Sequence, residues 1–184
     1  MQIEQAPPSN HGAGSARLLI VEPSRSALGV LARRLGELGY RIVACDNAGN
    51  ATAEMLRAPV DLILGELRMG PVSGVELTRR IRDDTALKDI PVILIAGRSD
   101  SSGAVDGFAA GADDVVAKPF HFEVLAARIS QRISRARSLK ELKHDNAALD
   151  ARVVTRAIEI GEIRAALKQS ELERLRLQSL VARS

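Results

Sequence analysis

Three charged side chains stand close behind aliphatic runs of this sequence and are its first candidates for chemistry. Glu22 follows the run RLLIV, Glu66 comes two residues after VDLIL, and Lys118 follows DVVA. Two neighbouring carboxylates supply the oxygen ligands that a hard divalent cation prefers. The same carboxylates can instead form charge-assisted hydrogen bonds with the ammonium group of a lysine. Which of these arises depends on the elements that carry the three side chains.

Short aliphatic runs alternate with segments of helical periodicity from Arg17 onward, and this pattern predicts five strands and five helices. The predicted strands are RLLIV, RIVAC, VDLIL, PVILIA and DVVA. The predicted helices cover 24–38, about 50–56, 74–84 and 101–111, and the last begins near His121.

The predicted strands are continuously apolar rather than alternating, which is typical of a sheet that is buried on both faces. Strands separated by helices need right-handed crossovers, so the sequence predicts a doubly wound α/β fold with a five-stranded parallel sheet. Ligands of such folds gather at the carboxyl ends of the central strands. The residues predicted there are Glu22, Pro23, Glu66, Ala96 and Lys118.

Four segments, LLIVEPS, VDLILGELRMGPVSG, PVILIAG and GADDVVAKPF, occur in the order and spacing typical of one family. The sequence resembles the receiver domain of bacterial response regulators over about residues 17–135. The resemblance implies a flavodoxin-like fold and a role in two-component signal transduction. It also implies an aspartate that accepts a phosphoryl group and a magnesium ion held mainly by acidic residues after the first strand.

Most of the positions that this resemblance singles out carry other residue types here. The family's acidic pair corresponds to Glu22 and Pro23, its phosphoacceptor to Glu66, its hydroxyl residue to Ala96, its switch aromatic to Val115 and its lysine to Lys118.

These departures predict a degenerate phosphorylation pocket. Pro23 has no side-chain oxygen for a metal and Ala96 has no donor for a phosphoryl group. The extra methylene of Glu66 moves its carboxylate about 1.5 Å further along the side chain than that of an aspartate. We therefore expect no catalytic residue, no cofactor and no bound metal, and Glu22 and Glu66 are the only candidate ligands if Mg²⁺ binds at all.

The sequence leaves three interpretations of Glu66 open. Its carboxylate, paired with Lys118, can mimic the charge of an aspartyl phosphate and hold one permanent conformation. It can instead form an inherited ion pair on a domain that is kept as a scaffold. A third interpretation is a glutamate that is itself phosphorylated.

The segment 136–184 is predicted to continue the last receiver helix as a coiled coil, because aliphatic residues recur in heptads between charged residues. The predicted dimer seam is Leu139, Leu142, Asn146, Leu149, Val153, Ile160, Ile163, Leu167 and Leu177. Arg156, Ser170 and Arg174 interrupt it. A lone Asn in such a seam favours a parallel pair. The alternative is a helical hairpin that bends near Gly161.

The predicted organisation is a flexible tail at 1–16, a receiver-like domain at 17–135 and the helical extension at 136–184. The formal charge is only +3, and basic residues alternate with acidic ones, so we expect no direct binding of nucleic acid. No segment predicts membrane insertion or export, so we expect a cytoplasmic protein. The sequence shows no nucleophile–base pair, metal cluster or phosphate-binding loop, so we do not expect an enzyme.

The predicted function is phosphorylation-independent signalling by a homodimer through contacts with a protein partner, such as a histidine kinase or an effector. The alternative is the sensory part of a larger regulator whose effector, a cyclic-dinucleotide enzyme or a histidine kinase, lies outside this chain.

Overall fold

A computed structural model describes residues 16–98 and 100–181, apart from the side chains at 154, 173 and 175–181. The predicted tail, except Ala16, and the side chain of Leu177 therefore lie outside the described residues. The chain divides into two compact units, 1–137 and 138–184, which are described separately.

Five strands and five helices alternate along the part of the chain that the structure describes, as predicted. The strands are β1 (Arg17–Val21), β2 (Arg41–Cys45), β3 (Leu62–Glu66), β4 (Val92–Ala96) and β5 (Asp114–Ala117). The helices are α1 (Arg25–Glu37), α2 (Ala48–Arg57), α3 (Gly74–Asp83), α4 (Ser101–Ala109) and α5 (Phe122–Val181).

The strands form one parallel sheet in the order β2-β1-β3-β4-β5, which confirms the doubly wound fold. Val21 pairs in register with Gly65, Glu66 with Ile95, and Ala96 with Ala117. Because the strands are parallel and in this register, the carboxyl ends of β1, β3, β4 and β5 lie at the same edge of the sheet.

The core consists of two aliphatic layers, one on each face of the sheet. One layer includes Leu19, Ile63 and Leu94. The other includes Leu18 and Ile20 from the sheet, and to these it adds Leu31 and Leu35 of α1 and Leu125 and Ile129 of α5. The central strands are buried on both faces for this reason.

The prediction that every strand is buried on both faces is wrong for β2. Arg41 and Ala44 of this strand are exposed, and of its five residues only Cys45 is buried. As an edge strand, β2 pairs with one neighbour, β1. The helices that pack on the sheet therefore cover less of this strand.

Polar caps start the helices directly behind the strand ends. The hydroxyl of Ser24 accepts a hydrogen bond from Ala27 N, the hydroxyl of Ser73 from Glu76 N, and the carboxylate of Asp100 from Gly103 N. Each cap satisfies an amide that the first helical turn leaves unpaired. The caps therefore fix where the chain leaves the sheet edge that carries the charged residues.

Helix α5 continues without interruption through Gly161, so the alternative of a hairpin bent at that residue is wrong. In the second unit, the described aliphatic residues of the predicted seam are all exposed: Leu139, Leu142, Leu149, Val153, Ile160, Ile163 and Leu167. Asn146 is exposed as well. Within the described part of the chain, no helix combines the length and apolar character that crossing a bilayer requires.

Candidate functional site

The charged residues predicted at the strand ends meet in the structure. The ammonium nitrogen Nζ of Lys118 lies 2.6 Å from Oε2 of Glu66 and 3.4 Å from Oε2 of Glu22. The lysine, just beyond β5, therefore reaches past β4 to the ends of β3 and β1. One cation lies between two carboxylates and reduces the repulsion between them.

The backbone and a second hydrogen bond hold Glu22 in place. Its amide N donates to the carbonyl of Cys45 at 3.0 Å, which ties it to the end of β2. Its Oε1 accepts a hydrogen bond from Ser24 N at 2.9 Å. The side chain of Glu22 is only 5% exposed, and these contacts hold it in a fixed position at the site.

Glu66 is the last residue of β3, and its side chain is 12% exposed. Burial raises the pKa of its carboxyl group, the hydrogen bond and charge of Lys118 lower it, and Glu22 raises it again. The net pKa lies above the ordinary value for a glutamate. Lys118 therefore offsets only part of what the ionised carboxylate loses in hydration.

The same influences act on the pKa of Lys118 with opposite signs. Burial by itself lowers the pKa of the ammonium group, but the hydrogen bonds and charges of Glu66 and Glu22 raise it by more. The net pKa of Lys118 therefore lies above the ordinary value for a lysine.

The remaining positions contribute shape rather than charge. Ala96 is buried and presents a methyl group, while its carbonyl accepts a hydrogen bond from Lys118 N at 2.8 Å. Val115 is partly buried beside the helix α4, and Pro23 is exposed. These three residues bring no hydroxyl, carboxylate or aromatic ring to the site.

The donor set does not fit the magnesium ion that the family resemblance implies. A magnesium site needs octahedral oxygen ligands. Here Glu22 and Glu66 are the acidic side chains at the site, and the ammonium of Lys118 lies within hydrogen-bonding distance of both. Pro23 adds no side-chain oxygen. Across the described residues, no three His, Cys, Asp or Glu side chains cluster as metal ligands would.

A second ion pair lies near the site and was not predicted from the sequence. Arg68 lies two residues after Glu66, and its Nε and NH2 donate to the two carboxylate oxygens of Asp100 at 2.5 and 2.7 Å. The aspartate is recognisable in the sequence as a helix cap before SSGAVDGFA. The sequence around this aspartate does not indicate that it pairs with an arginine 32 residues earlier.

The sequence profile of the family described as "Response regulator receiver domain" matches residues 18–130. The transcriptional regulatory protein YvrH of Bacillus subtilis is 35% identical over 128 residues, which are 69% of this chain and 53% of that protein. A probable cyclic di-GMP phosphodiesterase of Vibrio cholerae is 29% identical over 150 residues, 82% of this chain and 34% of that protein.

Solved structures agree with this result. The signal receiver domain of a signal transduction histidine kinase from Syntrophus aciditrophicus superposes with a TM-score of 0.61 at 32% identity, covering 65% of this chain and 90% of that one. The chain spans about half the length of the first curated relatives it matches. The order of the strands, the lysine that follows β5 and the sequence profile all agree. The chain belongs to the response regulator receiver domain family.

Proposed function

We propose that this receiver signals through protein contacts without being phosphorylated, as a homodimer joined by α5. The observation that carries the first part is the position of Lys118 Nζ, 2.6 Å from Glu66 and 3.4 Å from Glu22. The ammonium group of Lys118 is thus paired with two carboxylates of the chain itself. The two carboxylates that could hold a metal ion to neutralise charge during phosphoryl transfer are both paired with this lysine.

The same contact supports the mimic interpretation of Glu66. The carboxylate brings a negative charge to the lysine at the end of β3, where the family carries an aspartyl phosphate. A charge-assisted hydrogen bond of this length is among the stronger polar contacts in proteins. The receiver would thus hold one conformation permanently. The competing interpretation is that Glu66 and Lys118 form an inherited ion pair on a domain that serves only as a scaffold.

A phosphodonor assay tests the proposal. The full chain is incubated with acetyl phosphate and Mg²⁺, and its intact mass is measured. We expect no stable phosphate on the wild type, whereas the variant P23D/E66D, which restores the family's acidic pair and acceptor, should gain phosphate. Stable incorporation at Glu66 of the wild type would overturn the proposal.

Exposed aliphatic residues on α5 support the dimer. Leu142, Leu149 and Ile163 are 63%, 54% and 67% exposed in the isolated chain, and an unpaired apolar stripe of this length favours association. Light scattering over a concentration series should report a dimer mass. Leu149→Lys should lower the mass toward a monomer. Ile158→Lys, an equally exposed aliphatic outside the seam, should not.

Helix α4 offers a surface for the signalling partner. Val105 and Phe108 of this helix are 67% and 53% exposed, and they lie three residues apart, on one side of the helix. We propose that a histidine kinase or an effector docks on this surface, together with β5 and the start of α5.

A second candidate function follows from the coverage of the relatives. Alignment with a probable cyclic di-GMP phosphodiesterase covers 82% of this chain but 34% of that protein, so a receiver of this kind can be part of a longer protein. In that case α5 joins the receiver to an enzyme. Sequencing the native reading frame decides between the two: an effector domain encoded in the same frame favours the second candidate.

A further inference from the structure

The ion pair between Arg68 and Asp100 joins the two loops that border the charged site. Arg68 belongs to the connection between β3 and α3, and Asp100 to the connection between β4 and α4. The contact is bidentate, with the Nε and NH2 of Arg68 each facing one carboxylate oxygen. This fork geometry fixes orientation as well as distance.

Asp100 also starts the helix that carries the exposed apolar pair. Its Oδ1 accepts the hydrogen bond of Gly103 N at 3.0 Å, and its carbonyl accepts that of Ala104 N at 3.0 Å. The carboxylate that Arg68 holds is therefore the N-cap of α4. A displacement of Arg68 would be passed directly to the first turn of that helix.

Close packing holds the middle of α4. A Cβ added to Gly107 would lie 3.1 Å from Cδ1 of Leu94 and 3.3 Å from Cγ2 of Val115. Because only a glycine fits there without displacing these side chains, the helix lies unusually close to β4 and β5. The position of the family's switch aromatic is thus covered by α4 itself.

We propose that the Arg68–Asp100 ion pair fixes the position of α4, and with it the docking surface of Val105 and Phe108. This inference rests on the proposed function, since it explains how the surface keeps one conformation without a phosphoryl group. Ala96 has no hydroxyl with which β4 could respond to the pocket. The ion pair links the two loops in its place, without a phosphoryl group.

The surroundings of the pair predict how it responds to solution conditions. The side chain of Arg68 is 69% exposed, so added salt screens the contact. The hydrogen bond from Arg68 lowers the pKa of Asp100, so the aspartate stays ionised under mildly acidic conditions. The ion pair should therefore fix α4 less firmly as ionic strength rises, and it should persist at weakly acidic pH.

Hydrogen exchange of the full chain, followed by mass spectrometry, tests the proposal. Arg68→Gln and Asp100→Asn each remove the ion pair, while Asn keeps the capping ability of residue 100. We expect amides of α4, such as that of Ala104, to exchange about two- to fivefold faster in both variants. The double variant should match either single variant, and about 1 M salt should produce the same change in the wild type.

Arg57→Gln is the matched control, because Arg57 is also exposed and paired, with Glu54 at 3.2 Å on α2. It should leave exchange in α4 unchanged. Unchanged exchange in Arg68→Gln, or an effect of Asp100→Asn alone, would overturn the inference. Neither result bears on the proposed phosphorylation-independent signalling, which is overturned by a separate result, stable phosphate at Glu66 of the wild type.

Discussion

Replacing Lys118 by Met removes the cation on which two buried carboxylates depend. The methionine keeps most of the apolar stem, so the packing around β5 changes little. Glu22 and Glu66, with side chains 5% and 12% exposed, then face each other without a counter-charge. We expect the receiver unit to become less stable at neutral pH.

The size of this loss of stability depends on how deeply the two carboxylates are buried and on how exposed the lysine is. Removing one partner of a fully buried ion pair costs about 3–5 kcal/mol. Lys118 is 39% exposed, so water already screens part of the attraction and the value must be reduced. We expect a decrease of about 2–3 kcal/mol in the free energy of unfolding, or about 1–2 M in the urea midpoint.

The decrease should depend on pH. The pKa of Glu66 is raised in the folded chain, so its contribution to stability is greatest below the pKa of an unfolded glutamate and declines as pH rises through the folded pKa. Without Lys118 the folded pKa rises further. The difference between Lys118→Met and wild type should therefore be largest near pH 7 and shrink as pH falls toward about 4.5.

Tyr40 makes the measurement specific to the receiver unit. It is the one tyrosine of a chain without tryptophan, and it is 5% exposed in the core. Urea unfolding followed by tyrosine fluorescence thus reports this unit and not the helical extension. A decrease that is equal at pH 5 and pH 7 would refute the electrostatic reasoning. The variant E66Q/K118M should recover part of the loss, since it buries one carboxylate fewer.

Three further predictions concern other parts of the chain. Asp114→Asn should destabilise the receiver by about 1–3 kcal/mol in urea unfolding, because the buried Asp114 accepts two hydrogen bonds from Arg128, at 2.8 and 2.9 Å. Asn146→Leu should change the number of chains in the assembly, measured by light scattering, since a buried Asn in a coiled-coil seam restricts the register. Glu66→Gln should weaken binding of the partner in a titration if the carboxylate acts as a mimic, and an unchanged affinity would favour the scaffold.

Much of the fold was predictable because its signals are local. Apolar runs of five residues with helical segments between them allow few architectures other than a parallel sheet, and polar caps such as Ser24 and Ser73 mark where helices start. The meeting of Glu66 and Lys118 followed from the same topology, because parallel strands bring residues 52 positions apart to one edge.

The features that sequence reasoning missed depend on packing between distant segments. RIVAC reads as a buried strand, but its edge position leaves Arg41 and Ala44 exposed. The partner of Arg68 depends on how far the β4–α4 connection reaches across the sheet edge, which no spacing encodes. Gly161 suggests a bend, yet a single glycine costs a helix only about 1 kcal/mol, and α5 continues through it.

In the proposed function, Lys118 is what orders the pocket without a phosphoryl group. Its backbone N binds the carbonyl of Ala96 at the end of β4, while its ammonium binds Glu66 at the end of β3 and Glu22 at the end of β1. One residue therefore connects β5 to three other strands. Here both acidic partners belong to the chain, so the charge that orders the strand ends is encoded in the sequence.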